Sequence, residues 1–276
     1  MFAVFRYKHV RNKNDLDATD SPRMRPTLKR LSALAAGPPI AKSAIAAAVG
    51  DRDLAERIAV RVSPRARYMS LRVDPTNGQV VLIRPARASV RALLAFTASR
   101  RDWIVTHLAA LPARVAFTDG IEIPLHGVSH AVCFLPQQRG GVWREDGKIF
   151  VTGRAEHGAR RLKDWLKRHA RDVIGPAARA MAERLDRDVA QVVVRDTTSR
   201  WGSCTHGGRL SFSWRLILAP EHILTYVIAH EVAHLKHMDH SAAFWRTVES
   251  LLDGKADVAS ARQWLRRHGT VLHRYG

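Results

Sequence analysis

Ala229-His-Glu-Val-Ala-His-Leu-Lys-His-Met-Asp-His240 decides how the rest of this chain is read. Upstream, Ile223, Leu224, Val227 and Ile228 recur at helical spacing, and Pro220-Glu221 suit a helix start. Proline presets the backbone angle of a first turn, and an acid there favours the positive end of the helix dipole. The pattern predicts a helix from Glu221 to about His237. His230 and His234, four apart, then share one face, where two imidazoles can converge on one ion. Glu231 follows the first of them. From there a carboxylate can reach water activated by the ion without being a ligand, the logic of His-Glu-x-x-His sites. These residues point to metal-dependent hydrolysis, with Glu231 as general base. An all-imidazole donor set favours Zn2+ over magnesium or calcium.

A catalytic zinc commonly takes three protein ligands and keeps one position open. His240 is the first candidate for the third. To reach the ion, the chain must leave the helix after about His237 and turn back. In metzincins the same spacing places a glycine at that turn. Here the position holds His237, with Asp239 and Ser241 as nearby turn formers, and no methionine follows His240. Glu249, on the next predicted helix, is the alternative third ligand. His237 itself reads as an outer residue that either supports a ligand or faces solvent. Tyr226, one turn before His230, is a candidate substrate contact or a packing residue. Arg200, in Arg200-Trp-Gly-Ser-Cys204, is a candidate for stabilising a developing oxyanion or binding an anionic group. Trp201 and Gly202 equally suit a purely structural turn. Cys204 is not required as a nucleophile where a metal activates water.

Outward from this centre the pattern is α+β. Downstream, Ser241 precedes a helix carrying Phe244, Trp245, Val248, Leu251 and Leu252, and a last helix spans about Val258 to Arg267. Upstream, Arg209 to Leu218 reads as one long strand, a candidate edge for pairing an extended peptide. Val192 to Val194 is a shorter strand. Glu156 to Asp186 reads as helix, broken or kinked at Gly175-Pro176. Residues 114–151 alternate as a hairpin or small sheet. Ser89 caps a helix expected to run to about Pro112. Before it lie three short strands near residues 57–62, 68–73 and 80–84, with Asp74-Pro-Thr-Asn-Gly78 as a hairpin turn between the last two. The expected organisation is a disordered or loosely helical tail at 1–50, a small antiparallel β-rich part with one helix at 51–152, and a zincin-like catalytic domain at 153–276.

The chain carries 45 basic and 25 acidic residues, a formal net charge of +20, which suits a polyanionic neighbour such as nucleic acid, bound non-specifically through a basic surface. Basic clusters recur at Arg61/Arg65/Arg67/Arg72, at Arg84/Arg87/Arg91, along 160–171 and at Arg262/Arg266/Arg267. Two cysteines argue against a disulfide scaffold and for a reducing cytoplasm. No apolar run is long enough for a membrane span, and the start lacks the layout of a secretory signal. Nothing in the sequence sets an oligomeric state.

Three segments occur in order: Ser199-Arg-Trp-Gly-Ser-Cys204, Leu210-Ser-Phe-Ser-Trp-Arg-Leu216, and Tyr226 through His230-Glu-Val-Ala-His234 to Asp239-His-Ser-Ala-Ala-Phe-Trp245. Together they resemble the YgjP-like metallopeptidase family over residues 57 to about 270. The resemblance implies a zincin-like catalytic domain related to the SprT and WLM proteases. It also implies metal ligands at His230, His234 and His240, with Glu231 catalytic. Asp239 stands where asparagine is common. The leading expectation is a zinc metallopeptidase acting on a peptide or protein. Two others are a metal-dependent hydrolase of nucleotides or other phosphorylated substrates, and a nucleic-acid-associated protease acting on DNA-bound proteins.

Overall fold

The computed structural model describes residues 40–276, so most of the expected 1–50 tail lies outside the described residues. The described chain divides into two compact units, 40–111 and 112–276. The break thus comes well before the change expected at 152.

In the first unit, α1 (Lys42–Val49) and α2 (Arg52–Arg57) precede β1 (Ile58–Ser63), β2 (Ser70–Val73) and β3 (Val80–Pro85), then α3 (Val90–Ser99) and α4 (Arg101–Ala109). α1 is ordered helix where the tail was expected to continue, because Ile45 and Val49 are buried in the unit's core. Asp51 caps α2 by accepting from the Leu54 amide at 2.9 Å, and Lys42 donates to three carbonyls near its end, Ala55, Glu56 and Ile58. The sheet order is β1-β3-β2. β2 and β3 form the expected antiparallel hairpin, turned at Gly78 with a φ of 70°. β1 instead joins β3 in parallel, so the small sheet is mixed. Ile58, Leu71, Val80 and Leu82 pack with Leu93 and Ile104. Ser89 caps α3 as expected. The helix expected to reach Pro112 is interrupted at Arg100, where φ is −110° and ψ is 5°. One turn earlier the Thr97 hydroxyl donates to the Leu93 carbonyl at 2.8 Å, a back-bond that bends helices.

The second unit opens with β4 (Glu122–Leu125), β5 (Val128–Leu135), β6 (Val142–Glu145) and β7 (Lys148–Thr152), paired in the order β4-β5-β7-β6. α5 (Gly158–Glu183) follows, with Leu162, Leu166, Ala170, Ile174, Ala178 and Ala182 buried at a spacing of four. Each step of four advances such a stripe by about 40°, so it winds slowly around the helix as it follows the core. Burying each leucine contributes about 1.5–3 kcal/mol. α5 continues through Pro176 without a break. The missing N–H costs one helical bond, but buried residues on both sides of it hold the helix to the core.

The third sheet is built from β8 (Gln191–Arg195), β9 (Gly202–Cys204) and β10 (Arg209–Ser213), in the order β8-β10-β9. Two expectations are corrected here. The strand expected to reach Leu218 ends at Ser213, and Trp214–Leu218 form a 3-10 turn with all five residues buried. An apolar run of this kind does not betray its conformation by periodicity alone. β10 is also central, flanked by β8 and β9, so the edge beside the histidine-bearing helix belongs to β9. Three helices complete the unit: α6 (Glu221–Ala233), α7 (Ala242–Leu252) and α8 (Val258–Leu272). Among the described residues no helix is long and apolar enough to cross a membrane.

Arg215, fully buried in that turn, pairs with Asp196, donates to the Tyr275 carbonyl at 3.2 Å and lies 4.6 Å from the Trp214 ring. Lys163 of α5 reaches the same carboxylate at 3.3 Å. A buried guanidinium without such a partner would be strongly destabilising. Burial alone would raise the Asp196 carboxyl, but Arg215 and Lys163 hold it below the usual carboxylate range. A lowered carboxyl stabilises the fold above its unfolded pKa, about 3.9, and that contribution is lost as pH falls through the lower folded value. Asp196→Asn is therefore expected to lower the thermal midpoint at neutral pH. The gap to the parent protein should narrow in acid, and a gap constant from pH 7 to 3 would contradict this.

Candidate metal centre

α6 carries the apolar side chains Ile223, Leu224, Val227, Ile228 and Val232, all buried, and presents His230 and Glu231 from within the core. It ends earlier than the expected His237. Ala233 is its last residue, and the amides of Leu235 and Lys236 bond back only three residues, to Val232 and Ala233, at 2.9 and 3.1 Å. This tightening turns the chain at once after His234. Asp239 then accepts from the Ser241 amide at 3.2 Å, and Ser241 caps α7 through the Phe244 amide at 3.4 Å. The turn formers seen in the sequence thus place His240 immediately before α7, facing back to α6.

The outcome is a cluster of three imidazoles. One ring nitrogen from each of His230, His234 and His240 lies within 4.8 Å of the other two. The Nε2 atoms of His230 and His240 are 3.3 Å apart. Two nitrogens bound tetrahedrally at the usual zinc–nitrogen distance would be separated by roughly 3.3–3.4 Å. His234 Nδ1 donates to the His237 carbonyl at 2.9 Å, which turns its Nε2 lone pair to the cluster. His237 therefore supports the site through its backbone. Phe244, fully buried, lies against all three imidazoles, with ring centroids at 5.0, 4.6 and 4.8 Å. Glu249, the alternative third ligand, is exposed, off the buried stripe of Phe244, Val248, Leu251 and Leu252, and outside the cluster.

Burial sets the protonation states. It pushes His230 down to about 3, and the neighbouring His234 and His240 further disfavour a charge there, so this ring is neutral at ordinary pH. Burial lowers His234 and His240 as well. Neutral imidazoles are what a metal needs, since the lone pair is the ligand. His240 is the exposed member, so the cluster opens to solvent on its side.

Glu231 is only 4% exposed, and burial pushes its carboxyl up to about 8, with Arg200 drawing it back down. Its side chain lies directly against Gly202, the first residue of β9. A methyl group at that position would come within 2.5 Å of Glu231 Cγ. Gly202 therefore acts as more than a turn former, because its missing side chain makes room for the acid. Trp201 is the structural half of the motif, stacking on His273 at 4.5 Å between ring centroids. Cys204 has its thiol raised to about 11 by burial and by Glu231, and it lies outside the imidazole cluster. It is a protonated thiol and no nucleophile. Tyr226 is fully buried 6.0 Å from the His230 ring, and burial pushes its hydroxyl up to about 12.

The sequence reading missed Arg262. It was grouped with Arg266 and Arg267 as surface charge, yet its guanidinium lies 5.3 Å from the Trp245 ring, and that ring is 5.8 Å from both His230 and His240. Its charge is felt at Tyr226, His230 and His240. The spacing Val258, Arg262, Leu265, Gly269 puts it beside the buried stripe of α8, a signal available in the sequence.

A model of the YgjP-like metallopeptidase domain matches residues 67–268. The chain belongs to the YgjP-like metallopeptidase family. The expected relationship thus holds over most of the chain, and with it a metal-dependent peptidase. Among solved structures, the metallopeptidase zymogen of Pyrococcus abyssi abylysin is similar at 25% identity, over 41% of this chain and 96% of that one, with a TM-score of 0.26. No curated protein matches the chain.

Gly202→Ala tests the contact between β9 and the buried acid. The added methyl must displace Glu231, whereas the imidazoles are untouched. Hydrolysis is expected to fall at least tenfold with metal content unchanged, measured by turnover and by metal analysis of the same sample. Full activity would show that the carboxylate needs no such fit.

Proposed function

We propose that this chain is a zinc metallopeptidase in which His230, His234 and His240 hold the ion and Glu231 is the general base. The observation that carries this reading is the convergence of three neutral imidazoles beside one buried carboxylate. Zinc in such a site supplies Lewis acidity, polarising a carbonyl and making water nucleophilic near neutral pH. The chain's own residues supply the rest. Glu231 takes the proton from the attacking water and returns it to the departing amine. Its location against Gly202 puts it beside β9, and β9 is the outer strand of its sheet on that side. An extended peptide can add to that edge through main-chain hydrogen bonds, which brings a backbone carbonyl to the imidazole cluster. Arg200 and Arg262 supply positive charge near the carboxylate and the imidazoles, suited to a developing oxyanion. The thiols of Cys133 and Cys204 are both free, in keeping with a cytoplasmic setting.

The same two guanidinium groups favour a second reading, hydrolysis of a nucleotide or other phosphorylated substrate at the same ion. The two readings separate in a direct comparison of an unstructured protein with nucleoside triphosphates as substrates.

Glu231→Gln is expected to retain bound zinc and lose turnover by about 10²–10⁴-fold, the range of general-base catalysis. His240→Ala is expected to lose the metal itself, while the fold persists by circular dichroism. Proteolysis undiminished in Glu231→Gln would refute the mechanism. Zinc retained at full stoichiometry in His240→Ala would remove that residue from the ligand set.

A further inference from the structure

The hydrolytic centre leaves a second group of imidazoles unused. His126 and His169 bring their Nε2 atoms to 3.0 Å of each other, with the ring planes at 79° and the centroids 5.2 Å apart. Both rings are half-buried, and neither belongs to the His230/His234/His240 cluster. Glu221, the leading charge felt at His126, is the first residue of α6. At about 1.5 Å per residue, roughly 13 Å of helix separates it from His230, so the two groups of imidazoles are served by opposite ends of α6.

Each ring is held by its own element. His126 and Gly127 form the two-residue turn between β4 and β5, with φ of 52° and 80°. Such a turn ordinarily takes asparagine, aspartate or glycine first, so an imidazole there is carried at some conformational cost. The turn is pinned in place. The His126 amide donates to the Ile217 carbonyl at 2.6 Å, and a methyl group at Gly127 would stand 2.9 Å from Pro220 Cα. His169 comes from α5 and stacks on Trp165, one turn earlier, with centroids 5.4 Å apart and planes 2° from parallel.

Two neutral imidazoles so placed can share one N–H, or both can offer lone pairs to a cation. Burial lowers both rings from the ordinary histidine range, which favours the neutral forms a metal requires. Around an ion at the usual 2.0–2.1 Å, two nitrogens are roughly 2.9 Å apart at a right angle and roughly 3.3–3.4 Å apart at the tetrahedral angle. The observed 3.0 Å suits the right angle, which is the tetragonal arrangement of Ni2+ and Cu2+. Glu221 and Asp172 bring negative charge to the pair, against the positive charge of Arg144. His130, also felt at His126, has its Nδ1 against the Val128 carbonyl at 2.7 Å.

We propose that His126 and His169 form a second metal site, a two-imidazole seat for a late first-row divalent ion of tetragonal preference, Ni2+ or Cu2+, with water in the remaining positions. The ion ties the β4–β5 turn to α5 beside the start of α6 and takes no part in hydrolysis.

The test uses the full chain loaded with zinc, and Ni2+ as the probe, in equilibrium dialysis followed by metal analysis of the same sample. The parent protein is expected to bind one Ni2+ tightly while its zinc content stays constant, and its thermal midpoint should rise with added Ni2+. His126→Asn keeps a residue suited to the left-handed turn, and His169→Gln keeps a polar side chain on α5. Each should weaken Ni2+ binding at least tenfold and abolish the rise in midpoint, with zinc content and peptide hydrolysis unchanged. His240→Ala should still bind Ni2+. If His169→Gln folds poorly, His126→Asn decides by itself. No Ni2+ bound by the parent protein would leave a plain hydrogen bond between the rings and overturn the proposal. So would undiminished binding in the variants, which would put the ion on exposed imidazoles elsewhere, or loss of Ni2+ in His240→Ala, which would put it in the hydrolytic centre.

Discussion

Everything in the hydrolytic unit follows from the need to return the chain to a helix it has just left. His230 and His234 sit one turn apart at the end of α6, and a third imidazole has to come back to them from beyond the helix. The chain solves this by stopping α6 at Ala233 and reversing before His240, with Asp239 and Ser241 bonding the turn into shape. Phe244 then locks the result by lying under all three imidazoles at once. The two helices are therefore positioned by the same aromatic ring that aligns the donors. A change in the packing of α6 on α7 is at the same time a change in donor geometry.

The apolar setting of the site governs its chemistry as much as its shape. Burial lowers all three imidazoles, His230 the most, to about 3, and it keeps the Glu231 carboxyl protonated up to about 8 in the protein by itself. A cation beside that acid pulls in the opposite direction, favouring the ionised form that can accept a proton. Ion binding and ionisation of Glu231 would thus be linked through one electrostatic environment. The Arg200 guanidinium pulls in the same direction from the protein side.

The sequence was most legible where a residue's chemistry and its spacing agreed. The pair four apart on a helix, the acid beside it and the cap at Ser241 all lie where the pattern put them, and His240 joins the pair in space. It was least legible where burial was complete. Trp214 to Leu218 carry no periodicity to distinguish a strand from a 3-10 turn, because every one of them is buried. The end of α6 was placed too late, since local propensity does not know that a third histidine must return. Pro176 was given too much weight, because the buried face of α5 outweighs one missing hydrogen bond. Arg262 was hidden by its neighbours, a charge among charges, until its stacking on Trp245 set it apart.

The stacking of Trp201 on His273 reaches beyond packing. Gly269 in α8 leaves room for that indole, with a would-be methyl only 3.1 Å from Trp201 Cζ2. Trp201 in turn is joined to Gly202, on which the buried acid rests. α8 is therefore a wedge under β9: it adds no residue to the imidazole cluster, yet it sets the height of the ledge against which the Glu231 carboxyl rests. A side chain at Gly269 would press on that indole and, through it, on the strand that makes room for the acid.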